Sequence, residues 1–186
     1  MPFIPTDFHG LLVFEPTIFK DDRGYFFESY NEKLFQKNGI EIKFVQDNQS
    51  HSKYGVLRGL HYQLNPYSQT KLVRVLQGNI LDVVVDIRKG SATFGKTYSI
   101  ELSDENKKQL LVPKGFAHGF SVLSETADIM YKCDEFYNKE SEAGIKYNDS
   151  FLNIDWQVAD EKINVSSKDA ELPSFENCSN DFQFEG

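Results

Sequence analysis

Three segments of the sequence carry side chains that could perform acid–base chemistry. One segment, VLRGLHYQ, contains His61; a second, PKGFAHGF, contains His118; a third, SKDA, contains Lys168 and Asp169. An imidazole has an ordinary pKa of about 6.5, so it can take up a proton near neutral pH. A histidine among apolar neighbours is also a common structural residue, so no single segment decides between catalysis and packing. A fold that brings the three segments together would favour catalysis.

A metal site built from these histidines is not expected. The spacing PxGxxH that ends at His118 is similar to the second motif of the cupin superfamily of jelly rolls. The first motif of metal-binding cupins has two histidines one residue apart, whereas here His61 is followed by Tyr62 and Gln63. Two histidines with scattered carboxylates are a poor ligand set for a transition metal. We therefore expect neither a metal nor another cofactor.

The composition bounds the class of protein. The 186 residues fit one domain, 1–186, and 40% hydrophobic with 26% charged residues is typical of a globular protein. The net charge of −8 argues against a nucleic-acid-binding surface, although a local basic pocket for a small anion is compatible with it. The start, MPFIP, does not resemble a signal peptide, and no apolar run is long enough to cross a membrane. Cys133 and Cys178 are expected to be free thiols, so we expect a cytoplasmic protein.

The elements that would position these side chains are mainly strands. Alternating and aromatic segments predict strands at 11–15, 25–30, 44–48, 56–63, 71–76, 80–87, 98–102, 109–112, 116–123 and 127–133. A tight turn at Gly78 predicts that the strands on either side of it form a hairpin. One helix is predicted, capped by Asn31 and ended by Gly39, with Leu34 and Phe35 on its apolar side.

Loops are predicted at 21–24, at 49–52 and after Tyr137, and the tail after about residue 174 is expected to be loosely ordered. Short strands with tight turns predict an all-β fold: an antiparallel jelly-roll or cupin barrel with one or two short helices and a loop-rich C-terminal part. Closure of such a barrel would leave a central cavity in which a ligand could bind.

One predicted strand, 80–87, has acids on one of its faces. Alternation places Asp82, Val84 and Asp86 on one side and only aliphatic residues on the other. Such a face is either half exposed to solvent or lines a polar cavity, and the periodicity is compatible with both.

Nine segments form a longer pattern along the chain. They are DRGxFFESY from Asp22, FVQDN from Phe44, VLRGLHxQ from Val56, KLV from Lys71, DVxVD from Asp82, TFG from Thr93, PxGFAHGF from Pro113, YK from Tyr131 and KDA from Lys168. With these segments the chain resembles the dTDP-4-dehydrorhamnose 3,5-epimerase family of metal-free cupins. The segments run in the family's order over most of the chain, so the resemblance does not rest on one short motif.

The resemblance implies roles for the acid–base residues. In the family's reaction, removal of a proton from C3 or C5, which flank a ketone, gives an enolate. His61 would be the base, and Asp169 would bind its far ring nitrogen. Tyr131 would be the proton donor on the opposite face, and Lys71 would stabilise the enolate. Without the resemblance, Tyr131 would be interpreted as a barrel-wall aromatic and Lys71 as a solvated lysine.

The resemblance also implies the contacts with a nucleotide sugar. Arg23 and Arg58 would meet the diphosphate, whose oxygens suit a guanidinium fork, and Tyr137 would stack on thymine. The other substrate-binding positions implied are Phe26, Glu28, Gln46, Asp47, Asn48, Lys71, His118, Glu142 and Lys168. In the family the segment 23–28 crosses to a partner subunit, so a homodimer with shared sites is expected.

One consequence concerns the strand that carries Arg58 and His61. Strict alternation puts these side chains on opposite faces, yet the resemblance requires both to reach one cavity. We therefore predict a bulge or kink at Gly59, where a missing Cβ makes it easy.

The implied function is the inversion of C3 and C5 of dTDP-4-dehydro-6-deoxy-D-glucose, in dTDP-rhamnose biosynthesis for cell-surface polysaccharide such as lipopolysaccharide. The alternatives are an epimerase that inverts one carbon, a relative that uses another nucleotide or a heptose, a non-catalytic nucleotide-sugar-binding cupin, and a metal-dependent cupin. The set of His61, Lys71, Tyr131 and Asp169 favours an enzyme over a binder, because binding alone requires neither an acid nor a base.

Overall fold

The computed structural model describes residues 2–185, which form thirteen strands, two short α-helices and three 3₁₀ helices. The strands are β1 (Phe3–Pro5), β2 (Leu12–Phe14), β3 (Phe19–Asp21), β4 (Gly24–Phe26), β5 (Gln46–Lys53), β6 (Leu57–Gln63), β7 (Lys71–Gln77), β8 (Asn79–Asp86), β9 (Thr97–Ser103), β10 (Gln109–Val112), β11 (Phe116–Val122), β12 (Thr126–Cys133) and β13 (Glu142–Gly144). The helices are α1 (Glu32–Lys37) and α2 (Ser167–Ala170), with 3₁₀ turns at Lys139–Ser141, Asp160–Lys162 and Phe175–Asn177.

The strands form two large antiparallel sheets. The six-stranded sheet has the order β1-β2-β10-β7-β12-β5, and the five-stranded sheet has the order β13-β6-β11-β8-β9. Strands β3 and β4 form a separate hairpin with its turn between Asp21 and Gly24, as predicted. The expected all-β antiparallel fold with one or two short helices is confirmed.

Strand β8 contributes side chains to two apolar clusters, one on each of its faces. Ile80 and Val84 face a cluster of apolar side chains contributed by both sheets. Leu81 and Val83 face a second cluster, which the C-terminal part of the chain covers. Because both faces of β8 are buried, Asp82 between them has no exposed surface. Its face is therefore an interior wall and not a half-exposed surface.

The predicted helix is confirmed, because Asn31 accepts a hydrogen bond from the Leu34 amide and Phe35 is fully buried. The predicted hairpin at Gly78 is wrong. The tight turn is present, with φ +86 at Gly78, but it carries the chain from one sheet to the other. A turn is a local property, whereas the neighbours of a strand are decided by which of its faces the core buries.

Two strand boundaries also differ from the prediction. The strand expected at 25–30 ends at Phe26. It pairs only with β3, and no other strand within residues 2–185 joins this hairpin. The loop expected at 49–52 belongs to β5, which lies at the edge of a sheet and pairs with β12 over its whole length. An edge strand can carry many polar residues. The composition of β5 therefore resembles that of a loop.

The tail after residue 174 is packed, contrary to the expectation. Phe182 is 6% exposed and lies in the second apolar cluster. The Tyr62 hydroxyl donates a hydrogen bond to the Ser179 carbonyl, and the Lys89 amide donates one to the Phe182 carbonyl. The tail therefore covers the outer face of the sheet that contains β6. No helix within residues 2–185 is both long enough and apolar enough to cross a membrane.

Candidate active site

A cavity of about 450 Å³ lies where the two sheets face each other. Side chains from β5, β6, β7, β11 and β12 line it, together with the segment 164–166 and helix α2. Six residues expected at the site line this cavity: Arg58, His61, Lys71, His118, Tyr131 and Asp169. The three segments with acid–base side chains therefore meet in one place.

His61 and Asp169 form a hydrogen-bonded pair in the wall of this cavity. The Nε2 atom of His61 lies 2.7 Å from a carboxylate oxygen of Asp169. Burial opposes the charge of Asp169, but its contacts with His61 and with the Gly59 amide outweigh that effect and lower the pKa of the carboxyl. Asp169 is held in place because Ser166 caps α2 and accepts a hydrogen bond from the Asp169 amide.

The predicted irregularity at Gly59 is confirmed. In the pairing of β6 with β11, His61 lies opposite His118 and Arg58 lies opposite Phe120, so β6 has one extra residue between the two pairs. Gly59 has φ +110, and a Cβ there would lie 2.6 Å from the His118 carbonyl oxygen. The bulge turns Arg58 and His61 toward the same cavity and aims the Gly59 amide at Asp169.

Lys71 and Tyr131 enter the cavity from the opposite sheet. The ammonium of Lys71 lies 5.9 Å from the centre of the Tyr131 ring, on neighbouring strands β7 and β12. Burial raises the pKa of Tyr131, so the phenol keeps its proton at neutral pH. Burial lowers the pKa of Lys71, and the surrounding acidic groups oppose this change.

His118 makes a second histidine–carboxylate pair, which sequence reasoning did not assign. Its Nε2 atom lies 3.0 and 2.9 Å from the two carboxylate oxygens of Asp82, and both side chains are buried. The alternation of β8 had placed Asp82 on a face that could line a cavity, but nothing local identified its partner. Arg58 is anchored at the cavity by a 3.2 Å hydrogen bond to the Ser52 hydroxyl.

A smaller cavity of about 150 Å³ adjoins the first and shares His61, Lys71 and Tyr131 with it. Four more of the expected residues line it: Gln46, Asn48, Tyr137 and Glu142. Gln46 accepts a hydrogen bond from the Tyr137 amide, and Glu142 accepts one from the Tyr137 hydroxyl at 2.8 Å. Lys168 also donates to Glu142, at 2.6 Å.

Five of the expected residues line neither cavity. Lys168 contacts Glu142 at the edge of the smaller cavity, and the other four lie away from both cavities. Arg23 and Phe26 lie on the exposed β3–β4 hairpin, where Phe26 is 65% exposed and Arg23 pairs with Asp21. Glu28 follows the hairpin and contacts Asn31. Asp47 alternates with Gln46 and Asn48 along β5, so it points away and pairs with Lys132. The structure does not bring these four to the site of their own chain.

Within residues 2–185, no three His, Cys, Asp or Glu side chains are grouped so that they could hold a metal ion. Cys133 and Cys178 form no disulfide with each other.

The chain matches known proteins over most of its length. A family model described as dTDP-4-dehydrorhamnose 3,5-epimerase matches residues 5–177. A dTDP-4-dehydrorhamnose 3,5-epimerase of Shigella flexneri is 54% identical over 159 residues, which cover 85% of this chain and 88% of that protein.

Solved structures agree with this match. The crystal structure of dTDP-4-dehydrorhamnose 3,5-epimerase from Elizabethkingia anophelis has a TM-score of 0.90 and 53% identity, covering 94% of this chain and 96% of that one. The structure of dTDP-6-deoxy-D-glucose-3,5-epimerase from Legionella pneumophila, in complex with dTDP-4-keto-L-rhamnose, has a TM-score of 0.90 and 49% identity, covering 94% and 93%. These matches confirm the resemblance that the sequence motifs predicted, and the chain belongs to the dTDP-4-dehydrorhamnose 3,5-epimerase family.

Proposed function

We propose that this protein is a dTDP-4-dehydrorhamnose 3,5-epimerase, which inverts C3 and C5 of dTDP-4-dehydro-6-deoxy-D-glucose in dTDP-rhamnose biosynthesis. The observation that carries the proposal is the meeting of His61 and Asp169 with Tyr131 and Lys71 in one cavity. These groups supply a base, an acid and a cation, which are the three parts that an enolate mechanism requires.

His61 acts as the base through Nδ1. Because Nε2 lies against the carboxylate of Asp169, that nitrogen carries the hydrogen of the neutral ring, and the lone pair of Nδ1 is left for the substrate. When His61 takes the proton from C3 or C5, the imidazolium that forms is stabilised by Asp169. The lowered pKa of Asp169 keeps this carboxylate charged at neutral pH.

Lys71 stabilises the enolate oxygen that forms when the proton leaves. A cation in a buried cavity stabilises developing negative charge more strongly than it would in water. Tyr131 then delivers a proton to the carbon, which completes the inversion if it approaches from the other side. The placement of His61 on β6 and Tyr131 on β12 supports this, because the two strands belong to different sheets.

Arg58 and His118 bind the diphosphate side of the substrate, and the smaller cavity contributes contacts to the rest of the nucleotide. Tyr137 is 55% exposed at the edge of this cavity, and its hydroxyl donates a hydrogen bond to Glu142, which Lys168 holds in place. It is therefore available to stack on a base. The complex of the Legionella relative with dTDP-4-keto-L-rhamnose supports a dTDP-sugar as the ligand.

The active form is a homodimer in which the β3–β4 hairpin reaches the partner's site. The hairpin exposes Phe19, Tyr25 and Phe26, which are 61%, 57% and 65% exposed, and such a cluster favours a protein interface. Arg23 lies at its turn and could then bind phosphate oxygens in the partner's cavity. We also propose that the protein is cytoplasmic.

Mixed dimers test the shared site. Co-expressed His61→Ala and Arg23→Ala chains are expected to recover about a quarter of wild-type kcat/KM, because half of randomly formed dimers are mixed and each has one intact site. Arg23→Ala alone should lower kcat/KM by about tenfold to a hundredfold, the effect of losing a charged hydrogen bond. The measurement is epimerase activity of the purified mixture at low substrate concentration.

The matched control pairs His61→Ala with Tyr131→Phe. Both residues line the cavity of their own chain, so no mixed dimer has an intact site and activity should not recover. Recovery in this control, or none in the first mixture, would contradict the crossing of the hairpin.

Isotope exchange tests the function itself. The substrate dTDP-4-dehydro-6-deoxy-D-glucose is incubated with the protein in deuterated water and examined by mass spectrometry, with the product trapped by a downstream reductase. Deuterium at both C3 and C5 is expected. Deuterium at one carbon alone would instead identify a single-carbon epimerase, and no exchange beside an active control enzyme would identify a non-catalytic binder.

A further inference from the structure

A buried carboxylate, that of Asp82, lies behind the cavity and binds one of the side chains that line it. Asp82 lies on β8, paired with Phe120, and His118 lies two pairs further along the same two strands, opposite Val84. The two side chains are therefore diagonal neighbours on one face of the sheet. His118 lines the cavity, and Asp82 lies directly behind it with no exposed surface.

Asp82 is an acidic residue in mainly apolar surroundings. Its neighbours on the same face of β8, Ile80 and Val84, belong to the apolar cluster between the sheets. A carboxylate in such a place destabilises the fold unless it is paired and hydrogen-bonded. Its contact within hydrogen-bond distance among residues 2–185 is with Nε2 of His118, so that nitrogen must carry a hydrogen. The Nδ1 atom is left to interact with a ligand.

The charge of Asp82 also acts on Lys71. Lys71 is surrounded by Tyr131 and Cys133 on β12, His61 on β6 and Glu142 on β13, with Asp82 on the facing sheet. The pKa of Lys71 is lowered by burial, and the charges of Cys133, Asp82 and Glu142 oppose that change. Of these three, Asp82 is fully buried, and no Lys or Arg within residues 2–185 forms an ion pair with it. Glu142 is engaged by Lys168, and burial raises the pKa of the Cys133 thiol to about 11.

We propose that Asp82 is a positioning residue of the epimerase: it fixes the tautomer and orientation of His118 and supplies the negative charge that keeps Lys71 protonated to receive the enolate. This inference rests on the proposed function. Asp82 contacts no reacting atom and acts through these two side chains.

The test is the dependence of kcat/KM on pH in Asp82→Asn. The variant keeps the size of the side chain and removes its charge, so kcat/KM is expected to fall about tenfold to a hundredfold, as when the group that orients a functional histidine is lost. Removing a negative charge lowers the pKa of Lys71 further. Because the enolate needs the protonated amine, the alkaline limb of the profile should move to lower pH.

The matched control is Asp128→Asn. Asp128 makes the same contact with a histidine, 3.0 Å from Nδ1 of His51, but His51 is 58% exposed and both lie outside the cavities. Its pH profile should match that of the wild type. Unchanged kcat/KM in Asp82→Asn, or a loss of activity with an unmoved alkaline limb, would overturn the inference.

If Asp82→Asn does not fold, the inference can still be tested on the wild-type protein. Histidine side-chain ¹⁵N NMR should find His118 protonated at Nε2, and a neutral ring protonated at Nδ1 alone would overturn the inference. This measurement needs no substrate. A wild-type protein without isotope exchange would overturn the proposed function instead, and the tautomer of His118 would still be decided.

Discussion

Replacing His61 with alanine is expected to remove nearly all deuterium exchange at C3 and C5. The variant loses the group that takes the proton, and a positioned general base contributes about 10²- to 10⁴-fold to such a step. The neighbouring carboxylate of Asp169 cannot substitute easily, because a carboxylate with an ordinary pKa near 4 is a weaker base than imidazole, and hydrogen bonds with the Gly59 amide and at the cap of α2 hold it in place. The measurement is the rate of deuterium incorporation, followed by mass spectrometry under saturating substrate.

The control for this variant is His51→Ala. His51 also lies close to an aspartate, yet it is on an exposed part of β5 and contacts neither cavity. The His51→Ala variant should exchange deuterium at the wild-type rate. A His61→Ala protein that is folded, as judged by its circular dichroism, and still exchanges at the wild-type rate would place the base elsewhere.

Replacing Tyr131 with phenylalanine is expected to separate proton removal from inversion. The variant retains His61 and Asp169, so it still forms the enolate and exchanges hydrogen at a reduced but measurable rate. Without the phenol, the proton returns from the side on which it left, and configuration is retained. We expect formation of the inverted product to fall by about 10²-fold or more. Deuterium content and the amount of product trapped by the reductase, measured in one sample, give both rates.

Tyr98→Phe is the matched control, because it also removes a hydroxyl from a partly buried tyrosine in the barrel. The Tyr98 ring packs against Phe8 in the apolar cluster and lines neither cavity. The Tyr98→Phe substitution should leave the rates of deuterium exchange and of product formation unchanged. If Tyr131→Phe formed inverted product as fast as the wild type, Tyr131 would not be the proton donor.

Several features of this protein could be predicted from the sequence because short-range interactions decide them. The cap of α1 depends on Asn31 and the amide three residues later. The two faces of β8 follow from strict alternation, and Asp82 lies on the predicted side of the strand. The place of the bulge, Gly59, could be predicted because it lies between Arg58 and His61, two side chains that the family resemblance requires to share a cavity. In each case, the residues that decide the structure are within a few positions of one another.

Resemblance to a family supplied what local patterns could not. His61 and Asp169 are 108 residues apart, and their hydrogen bond forms only because the bulge in β6 and the cap of α2 meet at the cavity. The resemblance paired them correctly, but it carries the roles of His61 and Tyr131 only as proposals. It also assigned Arg23 and Phe26 to the site, and in this chain they lie on an exposed hairpin. Their part depends on a second chain, which no property of the single sequence describes.

The sequence by itself determined most of the strands, the helix, the faces of β8 and the family. Only the tertiary structure decided that Gly78 joins two sheets, that the tail covers β6, and that Asp82 lies behind His118. The physical reason is the range of the interactions. Hydrogen bonding in turns and caps and the alternation of strands depend on neighbours in the chain, whereas sheet order and buried pairs depend on which apolar faces close over one another. That closure is a property of the whole chain.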